Sequence, residues 1–320
     1  MPKLSIVVPV YNTERFLPAC IESILCSQFA DFELLLVDNA STDGSCEICE
    51  RYAQRDRRIR ILTQRTPGVS AARNCGIAAA EGEFIGFVDS DDTVETNLFS
   101  ELIGLYDTED TVLSCVGVFV DAEGKPPVPQ NADGKSYRLN AAEAAAFLLS
   151  GKYYKGFLPN KLFRSSVIKK YRLRLAQDIA YCEDVLFVAA YLQAAAGSVH
   201  YHAVPLYHYH IHGSNVSENG FSPRMLSGLT AFSRVEEIAA QSWPELVPEV
   251  RASQAGMGIY ALRSIARSGA GAEHIPMLGG VVRKNRTAYL ASRDTGRKAR
   301  LLCRLCCLSP RLFVEIAAHL

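Results

Sequence analysis

The sequence predicts an α/β protein: a mostly parallel, mixed sheet with helices on both faces, followed by a helical C-terminal region. Three observations lead there. Short strand-like runs alternate with helical patterns through residues 4–120, the arrangement that builds a parallel sheet. The first, second and fourth of those runs are mostly apolar, as strands buried on both faces are. From Phe221 to Leu320 no strand-like run occurs.

The elements follow in order. Leu4–Val10 is a β-branched run bounded by Pro9 and Asn12 and reads as a buried strand. A helical pattern spans Glu14–Ser27, with Phe16, Leu17, Cys20, Ile21, Ile24 and Leu25 on one face and Asn12 or Thr13 as its expected cap. Phe32–Val37 is a second strand. It ends in a polar loop, Asp38 to Gly44, that opens a helix over 45–54. Arg58–Thr63 is a third strand, and Ser70 is the expected cap of a helix Ala71–Ala80 that Gly82 stops. Phe84–Val88 is a fourth strand, ending in Asp89-Ser90-Asp91-Asp92. A helix at Glu95–Tyr106 and a strand at Val112–Val120 complete this half. Residues 121–137 read as a hairpin loop or connector, and Asn140–Ser150 as an Ala-rich helix. A helix is expected from Cys182-Glu183-Asp184 to about Ala195, and Leu206–Ile211 alternates like a strand. The C-terminal third holds helical patterns at Met225–Gln241, Glu245–Ser268 and Gly271–Ser292, then a basic amphipathic run, Arg297–Cys307.

Composition excludes several classes. The chain has 320 residues, 48% hydrophobic and 21% charged, so it is neither disordered nor collagen-like. Lys plus Arg equals Asp plus Glu at 34 each, which argues against a supercharged nucleic-acid binder. The neutral total hides an asymmetry: residues 283–320 carry nine Lys or Arg against two Asp or Glu. No run approaches the ~18–20 apolar residues that span a bilayer. Met1-Pro2-Lys3-Leu4 enters a strand directly and lacks a small-residue cleavage site, so a signal peptide is not expected. The ten cysteines are then expected to be reduced. Cys46 with Cys49, and Cys303 with Cys306 and Cys307, could supply zinc ligands, but the two groups lie far apart in sequence.

In open parallel sheets ligands bind beyond the carboxyl ends of the strands. Here the first strand is followed by Tyr11 and Asn12, the second by Asp38, and the fourth by Asp89 and Asp91. One aspartate after a strand is commonly a turn or cap; several at one edge make a site. No G-x-x-x-x-G-K-[ST] loop is present, and no G-x-G-x-x-G follows the first strand. Gly256-x-Gly258-x-x-Ala261 lies inside a helical pattern and reads as helix packing. Asp89-x-Asp91, with Asp92 beside it, makes a hard oxygen site suited to Mg2+ or Mn2+. Such an ion can neutralise a diphosphate as a leaving group.

Four segments together, Ser5–Asn12, Leu36–Gly44, Gly68–Asn74 and Phe87–Asp92, resemble the family 2 glycosyltransferases of the GT-A fold. The match is strong over residues 3–120 and looser to about 217. The resemblance implies a nucleotide-sugar donor, usually a UDP-sugar. Pro9, Val10 and Tyr11 would line the base pocket. Asp38 would bond uracil or ribose, and Arg73 would reach base or diphosphate. Asp89, with Ser90 beside it, would contact the donor ribose, and Asp91 would ligate the metal. The family's Asp-Asp-Gly-Ser is Asp38-Asn39-Ala40-Ser41 here. Asn160-Lys161 matches a family segment and supports the alignment more than any chemistry.

Glu183-Asp184 resembles the family's Glu-Asp pair. Inverting transfer needs a general base for the acceptor hydroxyl, and a neighbouring carboxylate raises proton affinity. Asp184 is the expected base and Glu183 its positioning or acceptor-binding neighbour; alternatively both simply favour a helix N-terminus. His208, His210 and His212 share one face of the alternating strand. They read as strand histidines, a zinc site, or, by the resemblance, His210 or His212 in place of an Arg at the diphosphate, with Ser214 and Ser217 following. The expected division is a transfer domain at 1–217, with donor half 1–120 and acceptor half 121–217, and an accessory region at 218–320. The acceptor implied is a surface glycan or lipid-linked glycan. The chain is expected in the cytoplasm, with peripheral membrane contact through the basic run at 283–320 and no nucleic-acid partner. Two other readings are a sugar nucleotidyltransferase, which lacks its Gly-rich basic loop after the first strand, and a non-catalytic donor-binding subunit.

Overall fold

The computed structural model describes residues 2–130, 132–150, 153–212 and 220–318. The expected fold class is borne out. Ten strands form one mixed sheet among the described residues, eight of them in the order β3-β2-β1-β4-β9-β6-β10-β5. β1 (Leu4–Val10), β2 (Phe32–Asp38), β3 (Ile59–Thr63) and β4 (Phe84–Phe87) run parallel at one end. β5 is the pair Thr93–Val94, and β6 spans Thr111–Ala122. The connector after β6 folds back as β7 (Val128–Gln130), antiparallel to β6, and β8 (Ser136–Leu139), antiparallel to β10. β9 (Lys161–Arg164) lies antiparallel between β4 and β6. β10 (Ser198–Ile211) is parallel to β6.

β1 shows why an apolar run becomes a central strand. Leu4, Ile6, Val8 and Val10 face one side and pack with Leu17, Ile21 and Ile24 of α1 (Leu17–Leu25). Val7 faces the other side, against α3 (Val69–Ala79). There Gly76 lies so close that a Cβ would stand 2.3 Å from the Val7 side chain. Burial on both faces leaves no position for alternation.

Several boundaries differ from the sequence reading. α1 starts at Leu17, not Glu14, because residues 12–14 have their polar groups committed to the neighbouring loop, and Pro18 sits in its first turn. Neither Asn12 nor Thr13 caps it by a side-chain bond. α2 covers Ser45–Ala53. Gly68, at φ +118°, occupies the α3 cap position, so Ser70 is inside the helix and does not cap it. α4 (Leu98–Gly104), α5 (Ala141–Leu149), α6 (Ser165–Lys170) and α7 (Glu183–Ala194) follow.

The chain divides into two compact units. The first comprises 1–144, 157–177 and 191–212; the second comprises 145–156, 178–190 and 213–320. The second unit contains α8 (Ser227–Ser242), α9 (Val247–Ser268), α10 (Ile275–Lys284), α11 (Arg286–Ala291), α12 (Arg297–Leu308) and α13 (Pro310–Ala317). Its core joins Met257, Leu262, Ile265, Leu278, Val282, Cys303, Cys306 and Phe313. Gly258 of α9 lies where a Cβ would be 3.0 Å from Val282, so the glycine-rich stretch serves helix packing, as expected. The single helix expected over 271–292 is broken at Asn285. Its buried side chain donates to Gln254 Oε1 at 3.0 Å. No helix among the described residues is long and apolar enough to cross a membrane.

Candidate functional site

Three neighbouring parallel strands, β2, β1 and β4, end at one edge of the sheet, and each delivers polar residues there. The loops after β1 and β2 are stitched together. Asn12 Oδ1 accepts from Thr42 N at 2.8 Å, Ser45 Oγ accepts from Thr13 N at 3.0 Å, and Glu14 Oε2 accepts from Gly44 N at 2.7 Å. Asn12 and Ala40 adopt left-handed backbone conformations, with φ +51° and +63°. Asp38 is the last residue of β2, is buried, and accepts from Ser41 N at 3.2 Å.

The Asn39 substitution in the family pattern has a structural explanation. Its amide donates to the Gln64 and Thr66 carbonyls at 2.9 and 2.7 Å, and its Oδ1 accepts from Gly68 N at 2.8 Å. A carboxylate could accept the last bond but could not donate the first two. Asn39 therefore ties the end of β2 to the turn that starts α3.

α3 positions Arg73, which is buried and donates from Nη2 to Asp89 Oδ1 at 2.6 Å. Tyr207 of β10 holds the segment after β4 from the other side. Its fully buried hydroxyl donates to Asp92 Oδ2 at 2.6 Å and accepts from Asp89 N at 3.1 Å. Asp92 Oδ1 accepts from His210 N at 2.9 Å. Asp92 is thus an anchor between the β4 loop and β10. Sequence reasoning gave neither it nor Tyr207 that role, because the partners lie more than one hundred residues apart.

Asp91 faces a different partner. Its Oδ2 lies 3.0 Å from His212 Nε2, and the His212 ring stacks on Phe16 at 4.3 Å between centroids. Burial, then the charge of Asp89, raises the proton affinity of Asp91, with the His212 hydrogen bond opposing. Burial and the charges of Asp89 and Asp91 raise that of Asp92 further. Ser90, between them, is buried.

Two of the three strand histidines, His208 and His210, share Asp121, with Nδ1 at 2.7 and 3.5 Å from its Oδ2, and His212 turns to Asp91. His208 bridges Asp121 Oδ2 at 2.7 Å and Glu95 Oε1 at 2.9 Å, stacked on Phe119. His210 Nε2 lies 2.8 Å from Thr93 Oγ1, and burial lowers its pKa from the usual histidine range. The His212 ring reaches the Asp91 carboxylate of the β4 loop, and His210 meets that loop through its backbone N–H on Asp92. Ser214 and Ser217 lie outside the described residues. Of the residues expected at the base pocket, Tyr11 is exposed at the strand end. Val10 is different: its side chain belongs to the core, which leaves only its backbone to the edge. Pro9 is buried on the opposite face of β1 from Val10.

Glu183 and Asp184 belong to the second unit, at the first turn of α7 as expected. Cys182 precedes them with φ +63°, a left-handed conformation that costs a non-glycine residue about 1 kcal/mol or more. Asp184 Oδ1 accepts from Val185 N at 2.7 Å. Gly156 approaches Val185 so closely that a Cβ would stand 2.4 Å from its side chain, fixing the start of the helix.

The residues at the sheet edge fit a divalent cation. Asp89, Asp91 and Asp92 crowd together. Arg73 pairs with Asp89, while burial and then the neighbouring aspartate charges raise the proton affinity of Asp91 and Asp92. No group of three or more protein ligands is gathered among the described residues. Mg2+ and Mn2+ at phosphate sites take one or two side chains and fill the other positions with phosphate and water.

The profile of "Glycosyl transferase family 2" matches residues 5–172. A putative glycosyltransferase, EpsH of Bacillus subtilis (strain 168), is 33% identical over 72% of this chain and 67% of its own length. The poly(ribitol-phosphate) beta-N-acetylglucosaminyltransferase TarS of Staphylococcus aureus (strain Mu50) is 29% identical over 69% of this chain and 39% of TarS. Among solved structures, residues 1–349 of S. aureus TarS in complex with UDP-GlcNAc align with a TM-score of 0.72 at 18% identity. That alignment covers 99% of this chain and 90% of that one. Against a longer TarS structure the chain spans 55% of the length. The mannosyltransferase PcManGT from Pyrobaculum calidifontis, in complex with GDP-Man and Mn2+, aligns with a TM-score of 0.57 at 13% identity, covering 99% and 84% of the two chains. These structural likenesses show the GT-A fold.

Proposed function

The chain belongs to the family 2 glycosyl transferases, and on that premise we propose that it transfers a sugar, with inversion, from a UDP-sugar to a surface-glycan acceptor, free or lipid-linked. One observation carries the reading: the two parallel strands that flank β1 lead into Asp38 on one side and Asp89 and Asp91 on the other, with Arg73 buried against Asp89. Support for the donor class comes from TarS and PcManGT, whose structures contain UDP-GlcNAc and GDP-Man. Support for the acceptor class comes from the TarS name, a poly(ribitol-phosphate) beta-N-acetylglucosaminyltransferase.

The residue roles are these. Asp38 accepts from the uracil or ribose, and Tyr11 offers an exposed ring beside the base, with Pro9 and the Val10 backbone shaping that pocket. Arg73 orients Asp89 toward the ribose, with Ser90 next to it. Asp91 and His212 hold a divalent ion, Mn2+ or Mg2+. Bound there, the ion supplies positive charge that stabilises a leaving diphosphate. His210 shapes the same wall through Thr93. Asp184 accepts the acceptor hydroxyl proton as that oxygen attacks the anomeric carbon opposite the departing diphosphate. Glu183 positions the acceptor. Residues 1–217 perform transfer, and 218–320 serve as an accessory region.

The test is donor hydrolysis and transfer. Purified protein incubated with a panel of nucleotide sugars and Mn2+, Mg2+ or EDTA should release nucleoside diphosphate from one UDP-sugar, and only with metal. With an acceptor present, Asp184→Asn should lose at least about a hundredfold in transfer, the lower range for a general base. Full transfer by Asp184→Asn would remove the base assignment. Metal-independent release would remove the metal role.

A further inference from the structure

The C-terminal helices present a face that the transfer reading leaves unused. α12 and α13 each bury one side, Cys303, Cys306 and Phe313 being fully buried in the helical core. Gly279 of α10 meets Pro310 so closely that a Cβ would stand 2.2 Å from its ring, so the pairing of α13 with α10 is fixed. The opposite side is solvent-facing and not polar. Leu301 is 67% exposed and Leu308 83%, with Leu312 at 45% and Ile316 at 39%. Arg297, Leu301, Arg304 and Leu308 recur at intervals of four, three and four, which places them on one stripe of α12. Lys298 and Arg311 are exposed beside that stripe, and Glu315 is the carboxylate on the α13 continuation.

We propose that this stripe docks on an anionic lipid surface, with the leucines entering the interface and the arginines facing lipid headgroups. The chemistry decides among occupants. A second copy meeting the stripe across a two-fold axis would bring two sets of Arg297, Arg304 and Arg311 into one contact, and α12 carries no carboxylate to answer them. Nucleic acid would satisfy the cations and leave the leucines in water. An anionic leaflet answers both, because basic residues gain from its surface potential and apolar ones from the acyl boundary. α12 has 12 residues, too few to cross a bilayer, so the helix lies on the surface. The inference uses no residue of the donor site. It stands or falls separately from the transfer reading.

The experiment is co-sedimentation of the full chain with vesicles of equal parts phosphatidylglycerol and phosphatidylcholine, and with vesicles of phosphatidylcholine alone. Binding to the anionic vesicles is expected to exceed that to neutral ones by at least about tenfold, since each basic residue contributes about fivefold. Arg297→Gln/Arg304→Gln should weaken it about twentyfold. Leu301→Glu/Leu308→Glu should weaken it by at least about tenfold per position. Both variants should keep the wild-type melting temperature and UDP binding. The proposal is overturned by absence of anionic-vesicle binding, by equal binding to neutral vesicles, or by undiminished binding of Leu301→Glu/Leu308→Glu. A dimer in sedimentation velocity that this variant dissociates would also overturn it, in favour of a second copy.

Discussion

Tyr207→Phe isolates one atom at the centre of the site. The hydroxyl is buried, donates to a carboxylate oxygen of Asp92 at 2.6 Å, and accepts from the Asp89 backbone at 3.1 Å. Removing it leaves the ring in place, so no large cavity opens. Two hydrogen bonds are lost. One is to a charged group, worth about 1.5–3 kcal/mol, and one is neutral, worth about 0.5–1.5 kcal/mol. Asp92 keeps its bond from His210 N, so the carboxylate is not wholly orphaned. The expected destabilisation is about 2–4 kcal/mol, read as a shift of urea midpoint at constant slope. Because the lost bonds fix the loop carrying Asp89 and Asp91, UDP affinity in Mn2+ should also fall. A change below about 1 kcal/mol would refute the anchoring role, as would a large loss of stability with UDP affinity untouched.

Asn39→Asp, which restores the family's residue, should destabilise by about 1–3 kcal/mol, since two carbonyls lose their donor; chemical denaturation checks this. Ala40→Gly should stabilise by about 0.5–1 kcal/mol, because φ +63° strains alanine and not glycine, less the added unfolded-state entropy; the same denaturation series reads it. Asp91→Asn concerns pH. The Asp91 carboxyl binds its proton more tightly folded than at its ordinary 3.8, through burial and then the Asp89 charge. Its stabilising contribution is therefore complete below that value and is lost as pH rises through the raised folded pKa. In EDTA at pH 7 the variant should melt higher than wild type, and the gap should close toward pH 4.

The sheet was legible where strands are buried on both faces. β1, β2 and β4 stand out as mostly apolar runs, Ser5 and Glu33 apart, and the aspartates that follow mark the carboxyl edge. β9 was not legible: Lys161-Leu-Phe-Arg164 is four residues with a charge at each end. Its lysine is nevertheless fully buried, bonded to Asn160 Oδ1 at 2.7 Å. β10 was read only in its last six residues because Pro205 interrupts a strand that begins at Ser198. The break at Asn285 depends on Gln254, a partner 31 residues away that no local pattern reveals. The site divides the same way. Asp38, Asp89 and Asp91 stand out by position after strands. Asn39, Asp92 and Tyr207 act through tertiary hydrogen bonds, and Asp92 meets His210 across 118 residues of sequence. Periodicity carries no signal for such contacts.

The central claim is that the carboxyl edge of the sheet binds a nucleoside diphosphate with help from a metal held by Asp91. Calorimetric titration of UDP into the wild type and into Asp91→Asn, each in Mn2+ and in EDTA, tests it most directly. The wild type should bind in Mn2+ and weaken by at least about tenfold in EDTA, a loss of about 1.4 kcal/mol, and the variant should bind equally weakly in both. Wild-type binding that is indifferent to EDTA, or an Asp91→Asn variant that still responds to Mn2+, would contradict it.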